Sequence, residues 1–561
     1  MGRFSKYILI VATLLGLIVG IGHPDLALAQ EQNVSDVWVA DNGDGTYTNP
    51  ILHADYSDPD VVKVGDDFYM TSSSFNAVPA LPILHSKDLV NWELINHAVD
   101  ELPPVEHFRS PQHGNGVWAP SIRYHEGEFY IYWGDPDFGI YMVKTDDPAG
   151  DWEEPVLVKP GKGLIDPSPL WDDDGRAYLV HAFARSRSGI NTVLVVQEMK
   201  SDGTEMIGDP ILVFDGHENG NRVVEGPKFK KRGDWYYILA PAGGVTEGWQ
   251  LAMRSKNPFG PYEARRVLQQ GNTDINGPHQ GGLVELDSGE SWFVHFQDKG
   301  VYGRIVHLNP VEWRNGWPMM GEDQNDDGVG EPVITHKKPD VGESYPIQTP
   351  PESDEFNSKE LGKQWQWHGN PENTWALTSN FGFIRLYGKP WPEGYRNLWD
   401  VPNLLLQKFP APEFQATAKL KFTPHMIGEK AGLVVMGEDY GYVAIQRNEN
   451  GFQLVQVNTY GADAGEPEEI IETVETDARE VWFRAQVREG GATTFSYSTN
   501  GKEYNEIGKT FQAKEGRWIG AKIGLFALQP RDGASEDYLD YSSQHSGFAN
   551  VDWFRISALE N

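Results

Sequence analysis

Cysteine is absent from all 561 residues of the chain. This absence excludes a disulfide framework and a lipid anchor carried on an exported cysteine. The chain is also short of positive charge, since 81 acidic residues against 47 basic ones give a formal net charge of -34 at pH 7. Such a charge disfavours nucleic acids and anionic membranes as partners, because both repel an acidic protein. A neutral substrate is the better match.

Long apolar runs are scarce too, and the one exception lies at the amino terminus. A basic start is followed by an apolar run from Tyr7 to Ile21 and by a small-x-small "ALA" ending. This pattern predicts a signal peptide over residues 1–29, because the run is short for a membrane span. An uncleaved anchor is the alternative. We therefore expect an exported protein, periplasmic or secreted, that has no membrane attachment after cleavage.

No amphipathic helical pattern of three turns or more is present, and strand patterns dominate from residue 50 onward, which predicts an all-β protein. A polar turn leading into an aromatic strand recurs five times, at intervals of 49 to 61 residues. The copies are "VGDDFYMT", "EGEFYIYW", "DDGRAYLV", "RGDWYYIL" and "DSGESWFV". Five copies of a small antiparallel unit predict a five-bladed β-propeller over residues 49–320.

A second recurring element contains proline and precedes each aromatic strand. Its five versions are "SDPDVV", "VWAPSI", "LIDPSP", "VEGPKF" and "NGPHQG". The first strand of every propeller blade lines the central channel, so equivalent positions of the repeat converge in space. Asp58, Asp166 and Glu225 occupy nearly the same place in blades one, three and four. We therefore expect three carboxyl groups to face one another at one end of the channel.

The remaining segments differ in composition from the repeats. Residues 30–48 form an N-terminal extension, and residues 321–352 are rich in Gly, Pro and charge, which is typical of a linker. From residue 353 to 561 alternating strands and an Asn500-Gly501 hairpin turn predict a β-sandwich of the jelly-roll type.

Three acids at the mouth of a channel suit glycoside hydrolysis, which needs one carboxylic acid and one carboxylate. Like charges held close raise at least one pKa, which keeps an acid protonated near neutral pH. The alternative is that the three acids merely cap turns at strand ends. The 19 Trp residues fit sugar binding, although packing in a β core explains any single one equally well.

Six segments in order resemble glycoside hydrolase family 43: "SDPDVVKVGDDFYMTSSSF", "GVWAPSI", "LIDPSPLWDDDGRAYLV", "VVEGPKF", "NGPHQGG" and "YGRIVHLNPVEW". The resemblance implies that Asp58 is the general base, that Asp166 tunes a pKa and orients, and that Glu225 is the general acid. Asp55 and Asp60 are also candidates for the base. Alignment to the family selects Asp58, whereas the two-residue period of a strand does not decide.

The same resemblance implies roles for further residues. Phe75 and Trp118 match positions that wall the sugar subsite, and Arg304 matches an arginine that contacts substrate hydroxyls and the acid cluster. His279 matches a histidine beside a channel ion, Ca²⁺ or another, whose shell is completed by water. No organic cofactor is expected.

The C-terminal region is similar to the concanavalin-like sandwich that accompanies many β-xylosidases and α-L-arabinofuranosidases of this family. There the sandwich often closes one side of the pocket. Asp354 and Asp552 lie near its two ends, and paired terminal strands would let them hold a structural Ca²⁺.

We therefore expect an exo-acting, inverting hydrolase that releases xylose or arabinofuranose from xylo- or arabino-oligosaccharides derived from hemicellulose. An endo-arabinanase of the same fold is the nearest alternative and needs an open groove. A propeller that binds polysaccharide without catalysis, and a retaining invertase-like enzyme, are further alternatives.

Overall fold

The computed structural model describes residues 34–531 and 546–559. The predicted signal peptide at residues 1–29 lies outside these ranges. Among the described residues, no helix is both long and apolar enough to cross a membrane.

The all-β prediction is confirmed, with a five-bladed propeller followed by a β-sandwich. Strand β1 (Thr46–Thr48) precedes the blades, and each blade is a four-stranded antiparallel sheet made of four consecutive strands. The strands are β2 (Asp60–Val64), β3 (Asp67–Thr71), β4 (Ala80–Ser86) and β5 (Trp92–Val99) in blade one; β6 (Trp118–His125), β7 (Glu128–Asp135), β8 (Gly139–Thr145) and β9 (Val156–Pro160) in blade two; β10 (Leu164–Trp171), β11 (Ala177–Phe183), β12 (Val193–Met199) and β13 (Met206–Asp215) in blade three; β14 (Lys228–Arg232), β15 (Trp235–Ala242), β16 (Trp249–Ser255) and β17 (Glu263–Leu268) in blade four; and β18 (His279–Glu285), β19 (Ser291–Asp298), β20 (Arg304–Arg314) and β21 (Trp317–Met320) in blade five.

The recurring aromatic segments are the second strands of the blades, β3, β7, β11, β15 and β19. Each second strand is hydrogen-bonded on both edges, and blades stacked around an axis cover both of its faces. Strand β7 is an example, because every residue from Phe129 to Asp135 is buried. Burial on both faces explains why these strands are continuous apolar runs and do not alternate with polar residues.

The proline-containing elements give the inner strands a shared backbone irregularity. The residue before proline has a positive φ in every blade: Asp58 (54°), Ala119 (37°), Asp166 (57°), Gly226 (56°) and Gly277 (51°). In blades two and three the pairing register of the inner strand also shifts at this residue, and in blade five it shifts between His279 and Gly281. Positive φ is costly for residues other than glycine, and a bulge re-aims nearby side chains. Each blade therefore has a left-handed backbone position at its channel end, and this position is strained in blades one, two and three, where the residue is not glycine.

The propeller ring is closed by segments on either side of the repeats. Strand β1 pairs with β22 (Thr335–Lys337), so the predicted N-terminal extension and linker contribute strands to the closure. The buried Asn49 side chain donates to the carbonyl oxygens of Leu308 (2.8 Å) and Val333 (2.8 Å) and accepts from Leu308 N (2.9 Å). One amide thereby ties the start of the propeller to its last blade.

The second domain is a sandwich of two sheets with a shared apolar core. Its strands are β23 (Gln366–Trp367), β24 (Ala376–Leu377), β25 (Ile384–Tyr387), β26 (Lys389–Pro390), β27 (Leu405–Lys408), β28 (Phe414–Thr423), β29 (Lys430–Met436), β30 (Tyr440–Arg447), β31 (Phe452–Thr459), β32 (Glu469–Thr476), β33 (Glu480–Val487), β34 (Ala492–Ser498), β35 (Asn505–Gln512), β36 (Lys522–Gln529) and β37 (Phe548–Ser557). One sheet has the order β23-β27-β36-β29-β30-β31-β32, with β26 beside β36. The other sheet has the order β24-β25-β37-β28-β33-β34-β35. Helices in the described chain are short: α1 (Arg185–Ser188) and the 3-10 turns His107–Arg109, Gly300–Tyr302, Leu398–Asp400 and Glu489–Gly491.

The two domains are joined by polar contacts as well as by apolar packing. Asn370 of the sandwich donates to the carbonyl oxygens of Leu102 and Val105 and accepts from Leu102 N. His113 of the propeller stacks on Trp399 of the sandwich, with ring centroids 3.5 Å apart. The carbonyl and amide groups of Val78 and Trp367 also pair across the boundary.

The ring-closing amide generates a stability prediction. Asn49→Ala removes the side-chain partner of the buried Val333 carbonyl oxygen and of the buried Leu308 N–H, whereas the Leu308 carbonyl oxygen still accepts from the Tyr47 hydroxyl; the loss costs about 3 kcal/mol. We expect the propeller to melt about 5 °C lower, or more, in differential scanning calorimetry. Asn42→Ala is the matched control, because Asn42 lies on the same hairpin and bonds only to exposed threonine hydroxyls. Equal melting temperatures for the two variants would show that Asn49 does not close the ring.

Candidate active site

The three predicted carboxyl groups are brought together at the channel end of blades one, three and four. Asp58 and Asp166 are 5% exposed, and Glu225 keeps partial contact with solvent. Their charges act on one another, since both Asp58 and Asp166 raise the pKa of Glu225. The positions are not fully equivalent: each aspartate directly precedes a proline, whereas Gly226 separates Glu225 from its proline. In register Glu225 therefore corresponds to Trp118 of blade two.

Asp58 is surrounded by hydrogen-bond donors. Its carboxylate accepts from the hydroxyls of Ser57 (2.9 Å) and Ser73 (2.6 Å). The Arg304 guanidinium approaches both of its oxygens at 3.2 Å and also donates to the Ser57 hydroxyl. These contacts are suited to an anion, because each places a donor against a carboxylate oxygen. Asp58 is therefore arranged as the carboxylate of the group.

Glu225 and Asp166 have raised pKa values. Burial, followed by the charges of Asp166 and Asp58, raises the pKa of Glu225 to about 8. Burial and the Asp58 charge raise the pKa of Asp166 to about 7, against the opposing effect of a hydrogen bond from Gly226 N at 2.7 Å. A carboxyl group with a pKa of about 8 holds its proton at neutral pH. Glu225 is thus arranged as the acid.

The other two acids of the first motif have different partners. Asp60 is fully buried below the site, where it accepts from Arg123 Nη1 (2.6 Å) and Ile122 N (3.1 Å). Asp55 accepts from two backbone N–H groups at the boundary between the domains. Of the three acids of the first motif, only Asp58 is among the charges that raise the pKa of Glu225, so the arrangement favours Asp58 where the strand period did not decide.

Aromatic rings line the side of the site. Phe75 and Trp118 lie edge to face with centroids 6.4 Å apart, and the backbones of Phe75 and Val117 pair. Trp118 also lies edge to face with Trp518, again at 6.4 Å. Trp518 belongs to the sandwich, is 46% exposed and has a φ of 65°. A strained, exposed tryptophan beside a carboxylate site indicates a binding role.

The sequence pattern did not indicate Trp518. The residue lies outside the repeats and reaches the site only through the packing of the two domains. Its signal in sequence is the short loop "KEGRWIG", in which a large aromatic residue stands among charged and small residues.

A cavity of about 270 Å³ adjoins the carboxylates on the side of Trp518. It shares Arg304 and Trp518 with the site, and both domains contribute to its wall. The lining residues are Val245, Asp298, Gly300, Gly303, Arg304, Glu438, Glu515, Gly516, Arg517, Trp518 and Ile519. Carboxylates and arginines beside an indole ring suit a hydroxylated ligand with an apolar face.

His279 lies at the start of β18 and is buried. Its Nδ1 contacts the Gly277 carbonyl oxygen, and burial lowers its pKa to about 4, so the ring is neutral with Nδ1–H as the donor. The Nε2 lone pair is buried and has no hydrogen-bond partner among the described residues. Such a nitrogen fits water or a cation. Ca²⁺ prefers oxygen ligands, so water would have to supply most of the shell.

The two acids predicted to hold calcium in the sandwich have separate side-chain partners. The terminal segments do pair, at Asp354 and Phe554. The Asp354 carboxylate, however, accepts from the N–H groups of Phe356, Gly362 and the Trp365 indole, and Asp552 is paired with Lys419. Across residues 34–531 and 546–559, no three His, Asp or Glu side chains are grouped to hold a metal ion. The structural Ca²⁺ in the sandwich therefore stays a prediction.

Comparison with known proteins is consistent across both domains. The family model described as glycosyl hydrolases family 43 matches residues 47–318, and that of the β-xylosidase C-terminal concanavalin A-like domain matches residues 353–557. The β-xylosidase of Formosa agariphila is 32% identical over 95% of this chain and 93% of its own length. The non-reducing end α-L-arabinofuranosidase of Bacteroides ovatus is 29% identical over 98% and 99%. The crystal structure of a family 43 protein from Bacillus licheniformis superimposes with a TM-score of 0.77 at 26% identity, over 92% of this chain and all of that one.

The raised pKa of Glu225 generates a prediction about Asp166. The Asp166 charge raises the pKa of Glu225, so Asp166→Asn lowers it, and the proton is lost at a lower pH. We expect the basic limb of the pH–rate profile on a nitrophenyl glycoside to move down by about one pH unit, with a strongly reduced maximum. Asp173→Asn removes an exposed carboxylate of the same blade and serves as control. A wild-type rate with an unmoved basic limb would reduce Asp166 to a turn-capping acid.

Proposed function

We propose that this chain, which belongs to glycosyl hydrolases family 43, is an exo-acting enzyme that releases xylose or arabinofuranose from xylo- or arabino-oligosaccharides. It is a glycoside hydrolase of an inverting family. The observation that carries the proposal is that two carboxyl groups of the site differ in their surroundings. Asp58 accepts hydrogen bonds from several donors, and Glu225 retains a proton near neutral pH.

The proposed mechanism uses these two states directly. Glu225 gives its proton to the glycosidic oxygen as the bond to the anomeric carbon breaks. Asp58 takes a proton from a water molecule that attacks the anomeric carbon from the opposite face, which inverts the configuration. Asp166 keeps the pKa of Glu225 high, so Glu225 retains its proton. Asp166 also accepts a hydrogen bond from the N–H of the adjacent Gly226, which orients Glu225.

Two relatives support the choice of sugar. One is named a β-xylosidase and the other an α-L-arabinofuranosidase, and both align over nearly the whole chain. The two sugars are pentoses with similarly placed hydroxyl groups, so one pocket suits both. Trp118 and the exposed Trp518 offer ring surface to the apolar face of the sugar, and the buried Phe75 packs against Trp118. Arg304, which already contacts Asp58, offers donors to its hydroxyls.

The sandwich supports exo action over endo action. An endo-arabinanase needs a groove open at both ends, whereas Trp518 and its loop stand beside Trp118 at the rim of the site. A side wall of this kind limits how far a polymer extends past the scissile bond. The cavity beyond Trp518 then receives the leaving group.

Two further proposals concern the ion and the location. A Ca²⁺ in the channel would be held by His279 Nε2 and by water, and metal analysis of purified protein that finds no calcium would refute it. Export after cleavage near residue 29 rests on the sequence, and amino-terminal sequencing of the exported protein tests it.

The roles of the acid and the base are separable by the leaving group. Protonation matters in proportion to how poor the leaving group is, so the loss in Glu225→Ala depends on the aglycone. We expect this variant to keep appreciable activity on a dinitrophenyl xyloside and to lose several orders of magnitude on a xylo-oligosaccharide. Asp58→Ala should be crippled on both, because water must be activated whichever group leaves.

Four rates, from two variants on two substrates, therefore decide the assignment. The roles stand if the ratio between substrates changes for Glu225→Ala and stays roughly constant for Asp58→Ala. The reverse pattern would exchange them, and equal losses throughout would give Glu225 a structural role only.

A further inference from the structure

Asp55 lies three residues before Asp58 and is buried at the boundary between propeller and sandwich. Its Oδ1 accepts from Arg304 N at 2.9 Å, and its Oδ2 accepts from Gly520 N at 3.0 Å. The first donor begins strand β20 of the propeller, and the second belongs to the loop before strand β36 of the sandwich. One carboxylate thus holds backbone groups of both domains.

The two backbones approach closely at this carboxylate. A Cβ on Gly303 would lie 2.5 Å from both Asp55 Cγ and Gly520 N, and a Cβ on Gly520 would lie 2.6 Å from the carbonyl carbon of Tyr302. The Ala521 N–H also donates to the Val301 carbonyl oxygen across the boundary, at 2.8 Å. Glycine is required at both positions by this contact, which leaves no room for a side chain between the segments.

Both clamped segments carry side chains of the site. Arg304 contacts the Asp58 carboxylate, and Trp518 stands two residues before Gly520 with a strained backbone. The Arg304 guanidinium lies 6.0 Å from the centre of the Trp518 ring. The Asp55 carboxylate therefore fixes the distance between Arg304 of the propeller, which contacts Asp58, and Trp518 of the sandwich, which lies at the rim of the site.

We propose that Asp55 is a positioning residue for Trp518, the side chain on which the leaving group stacks. Asp55 clamps the loop that carries Trp518 to the backbone of Arg304. This proposal rests on the proposed hydrolase function. Asp55 touches neither substrate nor the reacting atoms and acts through Trp518. Glu438 still holds the start of the loop, at Glu515 N-terminal to Trp518, so loss of the clamp loosens the segment from Trp518 to Gly520. The leaving sugar then loses its stacking surface, while bond cleavage in the pentose subsite continues.

Two substrates separate this effect from damage to the pentose subsite. Xylobiose has a sugar as leaving group, whereas β-xylosyl fluoride has none to stack on Trp518. Asp55→Asn keeps the shape of the side chain but accepts only one of the two N–H groups. We expect the ratio of kcat/KM for xylobiose to that for the fluoride to fall about tenfold, mainly through KM. Trp518→Ala should lower the ratio similarly.

A double variant tests whether Asp55 acts through Trp518. Residues that act through one contact are not additive, so Asp55→Asn with Trp518→Ala should give the ratio of Trp518→Ala alone. An unchanged ratio in Asp55→Asn, or a multiplied loss in the double variant, would overturn the proposal. Should Asp55→Asn not accumulate as folded protein, Asp55→Ser provides one hydroxyl acceptor and the same comparison.

A second readout needs no activity. Arg517 has a side chain 58% exposed and directly precedes the loosened segment, so loss of the clamp exposes it to trypsin. We expect cleavage after Arg517 to accelerate at least tenfold in Asp55→Asn and to stay unchanged in Asn370→Ala, which loosens a different contact between the domains. Equal cleavage in both variants would refute the clamp. A wild-type protein that hydrolyses neither substrate would refute the proposed function, and the trypsin comparison would still judge the clamp.

Discussion

The burial of several carboxyl groups at one end of the propeller channel is the constraint on which the rest of the site depends. An unpaired carboxylate removed from water costs several kcal/mol, and a second one nearby adds repulsion. The three carboxyl groups differ in how the structure compensates their burial. Asp58 receives two hydroxyls and the Arg304 guanidinium, and Asp166 receives the Gly226 N–H, while the pKa of Glu225 rises to about 8. One carboxyl group surrounded by donors and one with a raised pKa thus arise from one crowded arrangement.

The strained backbone of the inner strands makes this crowding possible. Asp58 and Asp166 both have positive φ directly before proline, where the cost of the left-handed region is about 1 kcal/mol or more for each residue. A regular strand would alternate its side chains between two faces and would not bring the carboxyl groups of three blades to one point. The repeat therefore determines the placement of the three carboxyl groups as well as the fold.

Much of this arrangement was predictable because it repeats. The five aromatic strands revealed the blades, and the proline elements revealed Asp58, Asp166 and Glu225, with Glu225 one residue farther from its proline than the two aspartates. Trp518 was not predictable, because it reaches the site only through packing between the domains. The sequence indicated Asp55 only as a candidate base and not as a contact between the domains. Its partners are backbone N–H groups, which every residue except proline has, so the sequence does not reveal them. Asp354 and Asp552 bind different side-chain and backbone partners although Asp354 pairs with Phe554, so the Ca²⁺ in the sandwich stays a prediction.

The central claim is that Glu225 carries a proton at neutral pH because burial and neighbouring charges keep it there. A pH titration by difference infrared spectroscopy, wild type minus Glu225→Gln, follows the carboxyl stretch of this one residue without substrate. The account predicts a midpoint near pH 8 that falls when Asp58 is replaced by Asn. A midpoint near the ordinary glutamate value of about 4.3 would contradict it, because Glu225 would then be ionised and unable to act as the acid.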